Sequence, residues 1–124
     1  MKKKTVLVIE DSPELSATLK DMLELRGLEP IITNNGVEGV ALAISERPDL
    51  ILLDIRLPDI NGYEVFRRIR EDTWGADAKI TILTASESLE NISKNVNLPI
   101  EHILFKPEQS VPRLLDIIET RVAE

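Results

Sequence analysis

The sequence predicts an α/β domain, a parallel β-sheet with helices on both faces. Two observations carry that expectation. Five short apolar runs rich in Val, Ile and Leu alternate with five stretches whose apolar residues recur at helical spacing. The runs read as continuously apolar rather than alternating, as strands buried on both faces do. The alternation fills residues 1–124, with no linker or low-complexity tract, so a single domain is expected.

The elements follow in order. Val6-Leu7-Val8-Ile9 is the first strand. Ser12-Pro13 supplies a helix cap and a first-turn proline, Leu15, Leu19, Met22 and Leu23 share one helical face, and Gly27 suits the exit. Ile31-Ile32 is a short second strand, and Val37, Val40, Ala41 and Ile44 are the expected buried face of the second helix. Leu50-Ile51-Leu52-Leu53 is the third strand, followed by a loop and the face Gly62, Val65, Phe66, Ile69. Ile80 to Leu83 forms a fourth strand, with Leu89, Ile92 and Val96 on a weaker helix. Ile103-Leu104-Phe105 is the fifth strand, and Val111, Leu114, Leu115, Ile118 and Val122 stripe the last helix.

Composition narrows the function classes. A hydrophobic fraction of 43% and a charged fraction of 30% are those of a soluble globular domain. No apolar run approaches the roughly 20 residues that cross a bilayer. The start, Met1-Lys2-Lys3-Lys4, has the charge of a signal peptide, but the apolar stretch after it is short and ends in Glu10-Asp11. The expectation is a cytoplasmic protein with no membrane partner. There are no cysteines and one histidine, His102, which exclude disulfides, thiolate metal sites and multi-histidine sites. A net charge of −7 argues against direct binding to nucleic acid.

In a parallel sheet of this kind all strand C-termini lie along one edge, where ligands bind. Glu10 and Asp11 follow the first strand, Asp54 the third, Thr84 the fourth and Lys106 the fifth. Any one of these alone reads as a cap or turn residue. Three acids, a hydroxyl and an amine arriving from four separate stretches make a site. Clustered carboxylates repel, and a hard divalent ion with oxygen ligands relieves that repulsion. A metal, a lysine and a free carboxylate suit an anionic phosphoryl group, whose transfer mainly needs positioning and charge neutralisation.

The arrangement resembles the receiver domain of two-component response regulators over essentially the whole chain. The most specific stretch runs from Leu53-Asp54 through Pro58 to Gly62, similar to the family's phosphoacceptor loop. Glu10-Asp11 resembles its acidic metal-binding pair, Thr84-Ala85 its hydroxyl-small pair, and Lys106-Pro107 its lysine step. The resemblance implies a three-layer, flavodoxin-like (βα)5 fold with a five-stranded parallel sheet in the order 2-1-3-4-5. It implies that Asp54 accepts a phosphoryl group from a sensor histidine kinase, a histidine phosphotransfer protein or a small phosphodonor. Asp11, Asp54 and the backbone carbonyl of Arg56 would hold Mg2+, or Mn2+ in its place, with Glu10 acting directly or through water. Thr84 and Lys106 would bind phosphoryl oxygens. The Lys106-Pro107 peptide is usually cis in such domains, and Arg56 and Ser86 stand at the two positions expected to tune dephosphorylation. Such a domain is a signalling switch rather than an enzyme in its own right. Its further partners are a downstream output protein or domain and, on phosphorylation, a second copy of itself. The sequence ends after the fifth helix, so no attached output domain is expected; a stand-alone regulator and a piece of a larger protein such as a hybrid kinase both fit.

Some residues depart from the family pattern. The first acid is Glu10 where Asp is usual. Ile103 stands where Tyr or Phe is common, and Pro99 where Gly often ends the fourth helix, so that helix is expected to end early. Phe105 shares the orientation of Ile103 and reads first as a core aromatic, with a substitute for the missing aromatic as the alternative. His102 reads as an exposed strand-start residue, and Trp74 as a partly exposed packing residue, with a docking residue as the alternative. Rival readings fail on particular residues. A haloacid-dehalogenase-type phosphatase needs a second Asp where Arg56 stands. A degenerate receiver would lack part of the set Asp54, Lys106 and the acidic pair. A flavin site would require the acidic loop Glu10-Asp11 to accept a phosphate.

Overall fold

The sheet has five parallel strands in the order β2-β1-β3-β4-β5, as expected. The computed structural model describes residues 2–85, 87–106 and 110–124. The strands are β1 (Thr5–Ile9), β2 (Glu29–Thr33), β3 (Leu50–Leu53), β4 (Ile80–Thr84) and β5 (Ile103–Phe105). The helices are α1 (Pro13–Leu25), α2 (Gly36–Glu46), α3 (Gly62–Glu71), α4 (Leu89–Asn95) and α5 (Val111–Ala123). Ser12, Asn35, Asn61, Ser88 and Ser110 cap the five helices with side-chain oxygens that accept from backbone N–H groups.

Alternate residues of each strand feed two cores, which is why the strands are apolar throughout. Leu7, Ile9, Ile51, Leu53, Ile80 and Ile82 point to the side carrying α2, α3 and α4. Val6, Val8, Leu50, Leu52 and Leu83 point to the side carrying α1 and α5. The expected stripes of α3 and α5 are buried as read, with Val111 half-buried, and Leu19 and Leu23 anchor α1. Gly27 leaves α1 at φ +79°, a conformation that glycine adopts without penalty.

The expected face of α2 is corrected. Val37 is 53% exposed and Ala41 is exposed, whereas Gly36, Gly39 and Ala43 are buried. The helix lies so close to β1 that a Cβ on Gly39 would stand 2.7 Å from Ile9 Cδ1. Small residues therefore form the contact, and the larger Val40 and Ile44 lie at its margin, half-buried.

α4 ends early, as expected: it has 7 residues and stops before Val96, ahead of Pro99 and a 3-10 turn, Ile100–His102. His102 is half-buried in that turn rather than exposed at a strand start, and burial draws its pKa down. Ile103 and Phe105 both pack toward α4, confirming their shared orientation; Phe105 is half-buried. Trp74 is half-buried in the turn between α3 and β4, where its backbone N–H donates to Asp72 Oδ2. It thus lies at the end of the sheet where β4 begins. Among the described residues no helix is long and apolar enough to cross a membrane.

Candidate phosphoacceptor site

Strand order reverses between β1 and β3, because β1 connects outward to β2 and the chain then crosses back to β3. The C-terminal ends of those two strands flank the crevice in which such sheets bind ligands. Parallel pairing holds both backbones there. Glu10 N–H donates to Thr33 O at 3.0 Å, and Asp54 N–H donates to Ile9 O at 2.9 Å. Glu10 and Asp54 thus emerge side by side, both buried, at 2% and 4% exposure.

Lys106, just past β5, reaches both of them. Its Nζ donates to Glu10 Oε2 at 2.8 Å and to Asp54 Oδ2 at 3.3 Å. Glu10 Oε2 also accepts from Ser12 N–H at 2.9 Å, the first turn of α1 closing over the acid. Asp54 Oδ1 accepts from Arg56 N–H at 3.3 Å, which folds the following loop back onto Asp54. Gly62 tightens the same loop: its N–H donates to Ile55 O at 2.7 Å, and a Cβ there would stand 2.7 Å from Ile55 Cα and closer still to the Asp54 carbonyl. The glycine eight residues after Asp54 is therefore required by backbone contact.

Two buried atoms in this group have no hydrogen-bond partner among the described residues, Glu10 Oε1 and Thr84 Oγ1. Their needs are opposite. A carboxylate oxygen accepts only, whereas a threonine hydroxyl can donate. Buried polar atoms are normally paired, so two orphans at one strand edge mark a place built for another group. The electrostatics agree. Burial, with Asp54 nearby adding repulsion, pushes the Glu10 carboxyl above its ordinary pKa, although Lys106 and Ser12 oppose the shift. Burial pulls the Lys106 ammonium down, but its hydrogen bonds and attraction to Glu10 and Asp54 outweigh that and leave it raised.

Four of the expected site residues, Glu10, Asp54, Thr84 and Lys106, thus come to one edge. Asp11 is exposed, and among the described residues no three acidic or histidine side chains stand together as a ready cage for a metal. Arg56 joins the site through its backbone, while its side chain is exposed. Ser86 and the Lys106-Pro107 peptide lie outside the described residues. Two contributors were not anticipated. One is the Ser12 backbone N–H on Glu10. The other is Asp59, whose Oδ1 and Oδ2 accept from Gly36 and Val37 N–H at 2.7 and 2.9 Å, tying the loop after β3 to the start of α2. Only a turn-rich loop ending in Asp-Ile-Asn-Gly hinted at the second.

Comparison with known proteins agrees with this geometry. The response regulator receiver domain family matches residues 6–119. The polar-differentiation response regulator DivK of Brucella anthropi is 32% identical over 121 residues, 98% of each chain. The DNA-binding dual master transcriptional regulator RpaA of Synechocystis is 33% identical over 102 residues, 82% of this chain; the match spans only 42% of RpaA. The receiver domain of the Pseudomonas aeruginosa sensor histidine kinase PA1611, crystallised with magnesium coordinated in its active-site cleft, superposes with a TM-score of 0.82 at 28% identity, covering 99% of this chain and 100% of that one. Fold, family match and relatives of the same length agree, and the chain belongs to the response regulator receiver domains of two-component signalling.

Proposed function

We propose that Asp54 is the phosphoacceptor of a two-component phosphorelay and that its phosphorylation switches the binding of partner proteins. The observation that carries the reading is the pairing of a buried acceptor carboxylate with Lys106, beside Glu10 Oε1 and Thr84 Oγ1, which have no partner among the described residues. Mg2+, with Mn2+ as a substitute, fits this donor set: it takes oxygen ligands and is commonly held by one or two carboxylates and a phosphate oxygen. Glu10, Asp54, the Arg56 carbonyl and the exposed Asp11 are the residues that would hold it. When bound, the ion would neutralise charge on the phosphoryl oxygens.

An Asp54 oxygen forms the new bond to phosphorus as the P–N bond of a phosphohistidine breaks, and the histidine nitrogen leaves with the electron pair. Lys106 supplies a fixed positive charge to one phosphoryl oxygen. The Thr84 hydroxyl donates to another, which satisfies its orphan oxygen. The burial of Asp54 and Glu10 keeps bulk water from competing for these contacts. The donor is a histidine kinase or a histidine phosphotransfer protein, and the reader is an output protein or domain or a second copy of the chain. We place the protein in the cytoplasm, where such kinases present their phosphohistidine. A net charge of −7 favours protein over nucleic acid as the direct partner.

The test is to incubate the protein with acetyl phosphate, with and without Mg2+, and to measure intact mass against Asp54→Asn. A single phosphoryl adduct that needs the metal and is lost in the variant is expected. No adduct, or one that persists in Asp54→Asn, refutes the reading.

A further inference from the structure

The end of the sheet away from Asp54 carries charge of the other sign. Two cavities of about 240 and 370 Å3 lie at the starts of β1, β3 and β4, and they share Arg47 and Asp49. Their walls hold five cations, Lys2, Lys3, Lys4, Arg47 and Lys79, against three acids. One of those acids is already engaged: Asp49 accepts from Thr5 N–H at 2.8 Å and lies 3.9 Å from Lys4 Nζ. The excess is local, in a chain of net charge −7. Elsewhere the chain pairs most of its cations, as Arg26 with Asp116 and Glu119, or Arg67 with Glu64 and Glu71. Lys2, Lys3, Arg47 and Lys79 enter no ion pair among the described residues. Lys79 Nζ donates to the Arg121 and Val122 carbonyls, at 3.2 and 3.3 Å, which are uncharged acceptors.

Arg47 stands out among them. It ends α2 in the left-handed conformation, at φ 47° and ψ 61°, and is the only non-glycine with a positive φ among the described residues. α1 leaves through the same region with Gly27, which adopts it freely, whereas a side chain makes it strained. The turn itself therefore does not call for an arginine. The Arg47 side chain is exposed and lines both cavities. In the larger one Pro48, Trp74 and Ala78 add an apolar wall beside it.

We propose that this concavity docks a short acidic segment of a partner protein, with its carboxylates on Arg47 and the N-terminal lysines and an apolar side chain against Trp74. Charge complementarity selects the occupant. A guanidinium pairs with a carboxylate through two parallel hydrogen bonds, and Arg and Trp are the residues that most often carry binding energy at protein interfaces. Nucleic acid and an anionic membrane also offer negative charge, but both extend past the concavity and meet the acidic remainder of the chain. A short segment does not. The cavities stand at the strand ends opposite Glu10, Asp54 and Thr84, so a bound segment leaves that edge free. The inference goes beyond the phosphoacceptor reading and stands without it.

The test is a titration of a dye-labelled, glutamate-rich peptide with one central leucine, followed by anisotropy. Its glutamine counterpart, a single-stranded oligonucleotide and vesicles of mixed phosphatidylcholine and phosphatidylserine are run beside it. Saturable binding of the glutamate peptide is expected, weakened several-fold by added salt, with the other three probes binding less tightly. Arg47→Glu should weaken the peptide by about tenfold or more. Arg47→Gly keeps the left-handed turn and removes the guanidinium. It should be at least as stable as wild type in urea and yet bind the peptide several-fold more weakly. No binding of the glutamate peptide, equal binding of the glutamine peptide, or a preference for oligonucleotide or vesicles overturns the proposal. So does an Arg47→Gly chain less stable than wild type, since the arginine then serves the fold, or one that binds the peptide unchanged.

Discussion

Replacing Thr84 by Val exchanges one oxygen for a methyl group at a position that is 0% exposed and where that oxygen has no partner among the described residues. A buried hydroxyl without a hydrogen bond costs about 1–3 kcal/mol, and the added methyl is worth up to about 0.8 kcal/mol. The variant should therefore be more stable than wild type by about 1–3 kcal/mol in the absence of ligands. For a domain of this size that is a rise in Tm of roughly 3–5 °C per kcal/mol. The gain should reverse in function. Beryllofluoride with Mg2+, which mimics the phosphoryl group, should stabilise wild type more than the variant, because only the threonine can donate to it. Urea unfolding followed by circular dichroism, with and without beryllofluoride, measures both effects, and an unchanged m-value confirms that the unfolded states are comparable. A Thr84→Val protein destabilised by 1 kcal/mol or more, or one stabilised by beryllofluoride as much as wild type, would refute the reasoning.

Three more outcomes test the geometry around the site. Gly62→Ala sets a Cβ against the Asp54 and Ile55 backbone and should destabilise by at least about 1–3 kcal/mol and slow labelling of Asp54; unaltered unfolding would contradict the close approach. Gly39→Ala meets the side chain of Ile9 instead, so it should cost about 1–3 kcal/mol and be partly rescued by Ile9→Val, read as a non-additive double mutant. Asp59 has its pKa held down at about 2, from 3.8, chiefly by the Gly36 and Val37 N–H groups that it accepts from. A lowered folded-state pKa adds stability above the unfolded value and loses it as pH falls toward the folded one. Asp59→Ala should accordingly lower Tm near neutral pH, with the difference shrinking between pH 4 and pH 2; a pH-independent difference would show that the carboxylate is not the cap.

Much of this is legible in the sequence. Strand alternation and the polar residue at each strand end were enough to bring Glu10, Asp54, Thr84 and Lys106 together, since parallel strands leave their C-termini no other place to meet. What escaped the sequence depends on distance. Reading α2 by hydrophobicity chose Val37 and Ala41, but the approach of that helix to Ile9 rewards small volume, so glycines face the core. The contact of Lys106 with both Glu10 and Asp54 depends on side-chain reach, which spacing along the chain does not register. Asp59 caps a helix 23 residues away, a relation that no local pattern encodes. Asp11 follows Glu10 at the same edge and is exposed where Glu10 is buried, a difference that their adjacency in sequence does not show.

The single tryptophan bears on how the protein can be watched. Trp74 belongs to the turn that leads into β4, and Thr84 closes that strand, so the strand sets the indole about 13 Å or more from the reacting edge at about 3.3 Å per residue. Its emission should therefore be nearly blind to events at Asp54 and sensitive to loss of the fold. That gives the chain an intrinsic optical channel for unfolding, separate from any signal taken at the Asp54 edge.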